Sequence, residues 1–108
     1  MHIHADRKNK NLVNSALLDD AKDGLYLVNT SRGEIVCEEA VAMSIKSGKL
    51  AGYATDVLDS EFERIESSPI LQLYDQRLYN IIITPHVGGM TFEGQEKAFM
   101  YALNKFNL

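Results

Sequence analysis

Three short stretches of this 108-residue chain carry side chains able to do chemistry. In the first, Val28-Asn29-Thr30-Ser31-Arg32-Gly33, an apolar run gives way to polar residues and a glycine. If that run is a strand of an open α/β sheet, Arg32 sits just beyond its carboxyl end, where such sheets bind ligands. A guanidinium there can grip a carboxylate through two parallel hydrogen bonds, or it can be an ordinary exposed arginine in a turn. The second stretch is Ala54-Thr55-Asp56-Val57-Leu58, with Glu61 close behind. An acid inside an apolar run is costly unless it is hydrogen-bonded, so Asp56 reads as an acceptor serving a ligand or the loop itself. The third is Thr84-Pro85-His86-Val87-Gly88-Gly89-Met90-Thr91, directly after Ile81-Ile82-Ile83. His86 falls at the same sheet edge, where an imidazole serves as a general acid or base, or else as a structural residue. Gly88 and Gly89 let backbone come close to something bulky and flat.

Positioning these residues requires strands that end together. Residues 25–29, 50–58 and 81–84, with an opening run at 2–5 around Ile3, are apolar and rich in branched side chains. Such runs suit strands covered on both faces of a parallel sheet. Helical patterns lie between them. Asn14 can cap a helix over 15–22, with Gly24 placed to stop it. Residues 38–47 repeat apolar positions at helical spacing, with Glu38 and Glu39 in the first turn and Gly48 just past the end. Thr91 can cap a last helix reaching about residue 106, whose stripe is Ala98, Phe99, Ala102, Leu103 and Phe106. Residues 59–76 read as a longer loop. The alternation predicts right-handed βαβ units: an α/β fold with a parallel sheet of about four strands and flanking helices, in three layers.

Composition narrows the partners. Hydrophobic residues make up 45% and charged residues 24%, enough apolar material for a core. The net charge of -4 argues against nucleic acid, whose phosphates want a basic face. No apolar run approaches the ~18 residues of a membrane span, so no membrane partner is expected. The single cysteine, Cys37, excludes an intrachain disulfide and makes a cytoplasmic setting the expectation. Cys37 reads as a small, unreactive, half-buried residue at a helix start. His2 and His4 would share one strand face, but a metal needs more ligands than they supply, and none is expected.

Taken together, Asn-Thr-Ser-Arg-Gly, then Gly-Lys-Leu-Ala-Gly before Thr-Asp-Val-Leu, then Ser-Pro-Ile-Leu before Ile-Ile-Thr-Pro-His-Val-Gly-Gly-Met-Thr, closely resemble the D-isomer-specific 2-hydroxyacid dehydrogenases. The resemblance runs from the opening strand into the last helix. It implies that residues 1–108 are part of an NAD-binding domain, the second mononucleotide-binding half of a Rossmann-like fold. It implies that Arg32 binds the substrate's carboxylate and carbonyl, that Glu61 pairs with His86, and that His86 delivers or removes the proton. It implies that Thr30, Ser31, Asp56, Gly88 and Gly89 surround the nicotinamide ribose and carboxamide, with Arg32 and His86 also beside the cofactor. The cofactor implied is NAD, with NADP as the variant, and the substrate a small 2-hydroxy or 2-keto acid. Glu61 is chosen over Asp59 and Glu63 for its spacing from Asp56.

The 108 residues contain no Gly-x-Gly-x-x-Gly, and Phe62 stands after Glu61 where the family usually has proline. The expectation is therefore a fragment of an NAD-dependent oxidoreductase, inactive alone. The alternative is a non-enzymatic truncated remnant that persists as a folded oligomer. In either case a homo-oligomer is expected, built as a symmetric dimer on the edge of the strand at 2–5.

Overall fold

The computed structural model of the protein describes residues 1–59 and 61–105. Three strands form one parallel sheet: β1 (Leu25–Asn29), β2 (Leu50–Thr55) and β3 (Ile81–Ile83), in spatial order β1-β2-β3. Leu27 lies beside Tyr53, and Tyr53 beside Ile81, so the three carboxyl ends finish at one edge. Among the described residues four α-helices accompany them: α1 (Ser15–Asp20), α2 (Glu38–Lys46), α3 (Pro69–Gln76) and α4 (Phe92–Lys105).

Local chemistry explains most boundaries. The Asn14 side chain accepts from the Leu17 amide at 3.1 Å and starts α1. That helix ends at Asp20, short of the expected residue 22, because Ala21 is already extended. α2 ends where Gly48 turns left-handed (φ 79°), a conformation glycine adopts without steric cost. Its Ala40, Val41 and Ile45 pack with Leu50, Tyr53, Ile70 and Leu73 into the core. Full burial of a side chain such as Val41 contributes about 1.5–3 kcal/mol. The segment read as a long loop contains α3: Ser68 caps it, accepting from the Leu71 amide at 3.2 Å, and Pro69 fills its first turn. The signal was present as Ser-Pro followed by Ile70 and Leu73, three apart on one face.

Two expectations about the sheet need correction. Residues 2–5 form no strand, so the described residues give three strands rather than about four. A turn at residues 7–11 follows directly and draws on that run: Asp6 accepts from the Lys8 and Asn9 amides, and the Asn9 side chain donates to the His4 carbonyl at 2.7 Å. Side-chain hydrogen bonds of this kind compete with a ladder. Met1 still reaches the sheet, its backbone nitrogen donating to the Val28 carbonyl at 2.7 Å.

The layers differ as well. Both crossovers, through α2 and α3, advance in the same direction along the sheet, so right-handedness puts both helices on one face. On the opposite face Tyr26, Val28 and Ile82 are exposed. Among the described residues the fold is two layers, not three. α4 starts as expected, with Thr91 Oγ1 accepting from the Gly94 amide at 3.1 Å. It buries none of its described residues, and Phe99 on the anticipated stripe is exposed. Phe106, assigned to the same stripe, lies outside the described residues.

Candidate active site

The site grows from the strand ends. Asn29, the last residue of β1, is fully buried, and its side chain shapes the turn that follows. Its amide nitrogen donates to the Arg32 carbonyl at 2.9 Å, and its oxygen accepts from the Ser31 amide and hydroxyl at 3.0 and 2.8 Å. This organising role escaped the sequence reading. Arg32 emerges from the turn with one guanidinium nitrogen on the Ser31 carbonyl at 2.7 Å.

At the end of β2, Asp56 braces the loop beyond β3. One carboxylate oxygen accepts from the Thr84 hydroxyl at 2.5 Å and the Val87 amide at 3.0 Å. The other accepts from the Gly88 amide at 2.8 Å. A Cβ on residue 88 would stand 2.9 Å from that carboxylate, so glycine permits the approach. Burial works against the charge on Asp56, but the hydrogen bonds from Thr84, Gly88 and Val87 and the nearby His86 outweigh it and hold the carboxyl below the usual carboxylate range.

The sign of the linkage follows. A carboxyl whose pKa is depressed in the folded state stabilises the fold above its unfolded pKa, and that contribution is lost as pH falls through the folded value. Acidification below about pH 4 is therefore expected to release the 84–88 loop. Amide exchange of Val87 and Gly88, corrected for its intrinsic pH dependence, should lose protection first at low pH in the native chain. Asp56→Asn should abolish that dependence.

His86 is the third element. Its backbone is left-handed (φ 56°), a rare conformation for a residue with a side chain and one that gathers at functional sites. Its Nδ1 lies 2.5 Å from Glu61 Oε1, while the other Glu61 oxygen accepts from the Leu58 amide at 3.1 Å. Glu61 is thus held from both sides, and among the described residues His86 Nε2 is uncommitted. The Phe62 ring, at the position where proline was anticipated, lies 6.1 Å from the imidazole and tilted to it.

A cavity of about 620 Å³ opens at this edge, lined by Thr30, Arg32, Asp56, His86, Gly88, Gly89 and Met90. Six residues singled out in the sequence meet there, and Met90 joins them. Ser31 does not line it, because its hydroxyl is turned onto Asn29. Glu61 sits behind His86, on a second, more apolar cavity of about 350 Å³ beside Phe62, Ile65 and Tyr74.

A parallel sheet that gathers an arginine, a paired histidine and a glycine-rich loop at its carboxyl edge belongs to the class of open α/β proteins that bind ligands there. Comparison with known proteins makes the class particular. The model of the D-isomer specific 2-hydroxyacid dehydrogenase family, NAD binding domain, matches residues 1–88, and the chain belongs to that family. It is 38% identical over 106 residues to D-3-phosphoglycerate dehydrogenase of Haemophilus influenzae, covering 98% of this chain and 25% of the relative. It superposes on a D-2-hydroxyisocaproate dehydrogenase with a TM-score of 0.78 and 26% identity, covering 95% of this chain and 33% of that one. The D-lactate dehydrogenase of Aquifex aeolicus, solved with NAD and lactic acid, shares the fold at a TM-score of 0.77 and 24% identity, over 98% of this chain and 34% of that one. The chain thus spans about a quarter to a third of the length of these proteins. No described helix is long and apolar enough to cross a membrane.

Proposed function

We propose that this chain is the second mononucleotide-binding half of the cofactor domain of an NAD-dependent oxidoreductase that interconverts D-2-hydroxy acids and 2-keto acids. The observation that carries the reading is the Glu61–His86 pair, 2.5 Å apart, beside a cleft that Arg32 also lines. Arg32 holds the substrate carboxylate and sets the orientation of the C2 carbonyl. His86 Nε2 gives a proton to the carbonyl oxygen on reduction and takes one from the hydroxyl on oxidation. Glu61 fixes the orientation of the ring through Nδ1. When bound, the nicotinamide supplies or accepts the hydride at C2.

The residues present suit that cofactor. A carboxylate offers about four lone-pair positions, and the 84–88 loop uses three of those on Asp56. One remains for a carboxamide N–H. A Cβ at residue 89 would meet nothing within 4 Å, so the cleft floor there is open. We assign Thr30, Gly88 and Gly89 to the nicotinamide ribose and carboxamide, the part that NAD and NADP share. The setting we assign is cytoplasmic, on the single unpaired cysteine.

The test is a chimera in which this chain replaces the matching segment of the H. influenzae relative. We expect NADH-dependent turnover of 2-keto acids. A chimera that folds and binds NADH yet turns over nothing would remove the assignment.

One observation favours a second reading, a folded oligomer without catalysis: the uncovered sheet face bearing Tyr26, Val28 and Ile82. A contiguous apolar surface on a folded chain usually marks an interface. The dimer anticipated on the strand at 2–5 has no strand to build on, so self-association would use this face instead. Sedimentation equilibrium should show the 108-residue chain associating, and Tyr26→Glu should return it to monomer. A native chain monomeric across the micromolar range would sink the oligomer.

A further inference from the structure

Glu38 opens α2, yet the residue is only 6% exposed and its carboxylate is turned onto buried partners. Among the described residues no cation pairs with it. The helix dipole does not require this burial, because Glu39 offers the same charge to the same turn from the surface. The two oxygens of Glu38 have separate partners far away in sequence. One accepts from the Asp59 amide at 3.0 Å, and the other from the Ser68 hydroxyl at 2.5 Å. Asp59 stands two residues before Glu61, and Ser68 is the cap on which α3 begins. One buried carboxylate therefore grips the chain on both sides of Glu61.

We propose that Glu38 is a positioning residue for the proton-transfer pair, stapling the two ends of the segment that carries Glu61 and so setting Glu61 at hydrogen-bond distance from His86. The proposal rests on the roles given above to Glu61 and His86. Apart from His86 itself, Glu61 is hydrogen-bonded among the described residues only to Leu58, from its amide to the Leu58 carbonyl and from the Leu58 amide to its carboxylate. Leu58 anchors the near end of the segment through the core, and Glu38 fixes the next amide and the far end at Ser68. Removing Glu38 leaves the Asp59 amide and the buried Ser68 hydroxyl without their acceptor. Gln at this position restores the staple: its oxygen accepts from Asp59, and its nitrogen donates to Ser68 Oγ, which has a lone pair to spare beside the Leu71 amide.

The test is the His86 Nδ1 proton, followed by imidazole NMR on the 108-residue chain. In the native chain and in Glu38→Gln it should be protected and shifted downfield by Glu61. In Glu38→Ala its exchange should accelerate about tenfold or more, as expected for the loss of one net hydrogen bond, together with that of the Asp59 amide. Far-UV circular dichroism should stay native. If Glu38→Ala does not fold, Ser68→Ala removes one arm of the staple and should give a smaller acceleration of the same signal. Unchanged His86 exchange in a folded Glu38→Ala, or in Ser68→Ala, overturns the proposal. Glu61→Gln separates the two levels of argument. If it leaves the signal untouched, the pair itself does not form; if it removes the signal while Glu38→Ala does not, the pair stands and the staple falls.

Discussion

His86→Gln, placed in the chimera, is expected to lower kcat by about 10²- to 10⁴-fold, the range a positioned general acid or base contributes. Gln keeps polarity and approximate size but cannot carry a proton to the carbonyl oxygen. KM should move little, because Arg32 still holds the carboxylate. The reverse pattern is expected for Arg32→Ala, in which binding of the 2-keto acid weakens much more than binding of NADH. The contrast distinguishes a chemical role for His86 from a structural one. His86 is left-handed and tied to Glu61, so a merely structural change would damage cofactor binding, KM and kcat together. Steady-state NADH oxidation across a range of 2-keto acid concentrations gives both parameters. A His86→Gln chimera with undiminished kcat would remove the histidine from the reaction.

Features set by local chemistry were legible in the sequence. Residues of β1 declared themselves through an unbroken apolar run, and the Asn14 and Thr91 caps through hydroxyl or amide side chains before helical spacing. The three site stretches were legible because parallel strands must end together, so residues just past each strand converge without further information. Features decided by distant partners were not legible. Glu38 could be read only as a first-turn acid, because its acceptor duty depends on Asp59 and Ser68 arriving at α2. Asn29 read as the end of a strand, since its bonds form only once residues 30–32 fold back. Asp56 left two roles open, and the structure shows the loop brace while leaving room for a ligand. The opening run failed for a different reason. A single apolar residue between two histidines carries little strand signal against a turn already favoured by Asp6 and Asn9. The apolar runs suggested cover on both faces, but apolarity records what a strand needs, not whether helices within these residues supply it.

Gly33→Ala is expected to be the most damaging single methyl in the chain. A Cβ there would lie 2.2 Å from the Leu58 carbonyl carbon and 2.3 Å from the Asp59 nitrogen, where ordinary carbon contacts are about 3.5–4.0 Å. The obstruction is backbone, so no side chain can swing aside. Neither wall gives readily. The Gly33 carbonyl accepts from Val36 at 3.0 Å, and Arg32 before it is held by Asn29. The opposite wall is gripped by Glu38 through Asp59. Relief requires the two segments to part, at the upper end of the 1–3 kcal/mol typical of overpacking or beyond it. In a domain stabilised by about 5–15 kcal/mol, that is a large share. The melting temperature should fall by more than about 10 °C, or the transition should cease to be cooperative. Gly24→Ala is the control. Gly24, unlike Gly33, is left-handed (φ 76°), but it has nothing within 4 Å of an added Cβ, so it should cost only the conformational penalty of about 1–2 kcal/mol. The same contact joins the two halves of the chemistry, since Gly33 follows Arg32 and Leu58 hydrogen-bonds Glu61. The parting should therefore loosen the Glu61–His86 pair as well, and the His86 Nδ1 proton should exchange faster even at temperatures where Gly33→Ala remains folded. A Gly33→Ala chain melting no lower than Gly24→Ala would show that the two backbones separate at little cost, and that the close packing of Gly33 on Leu58 does not hold the arginine turn against the glutamate segment.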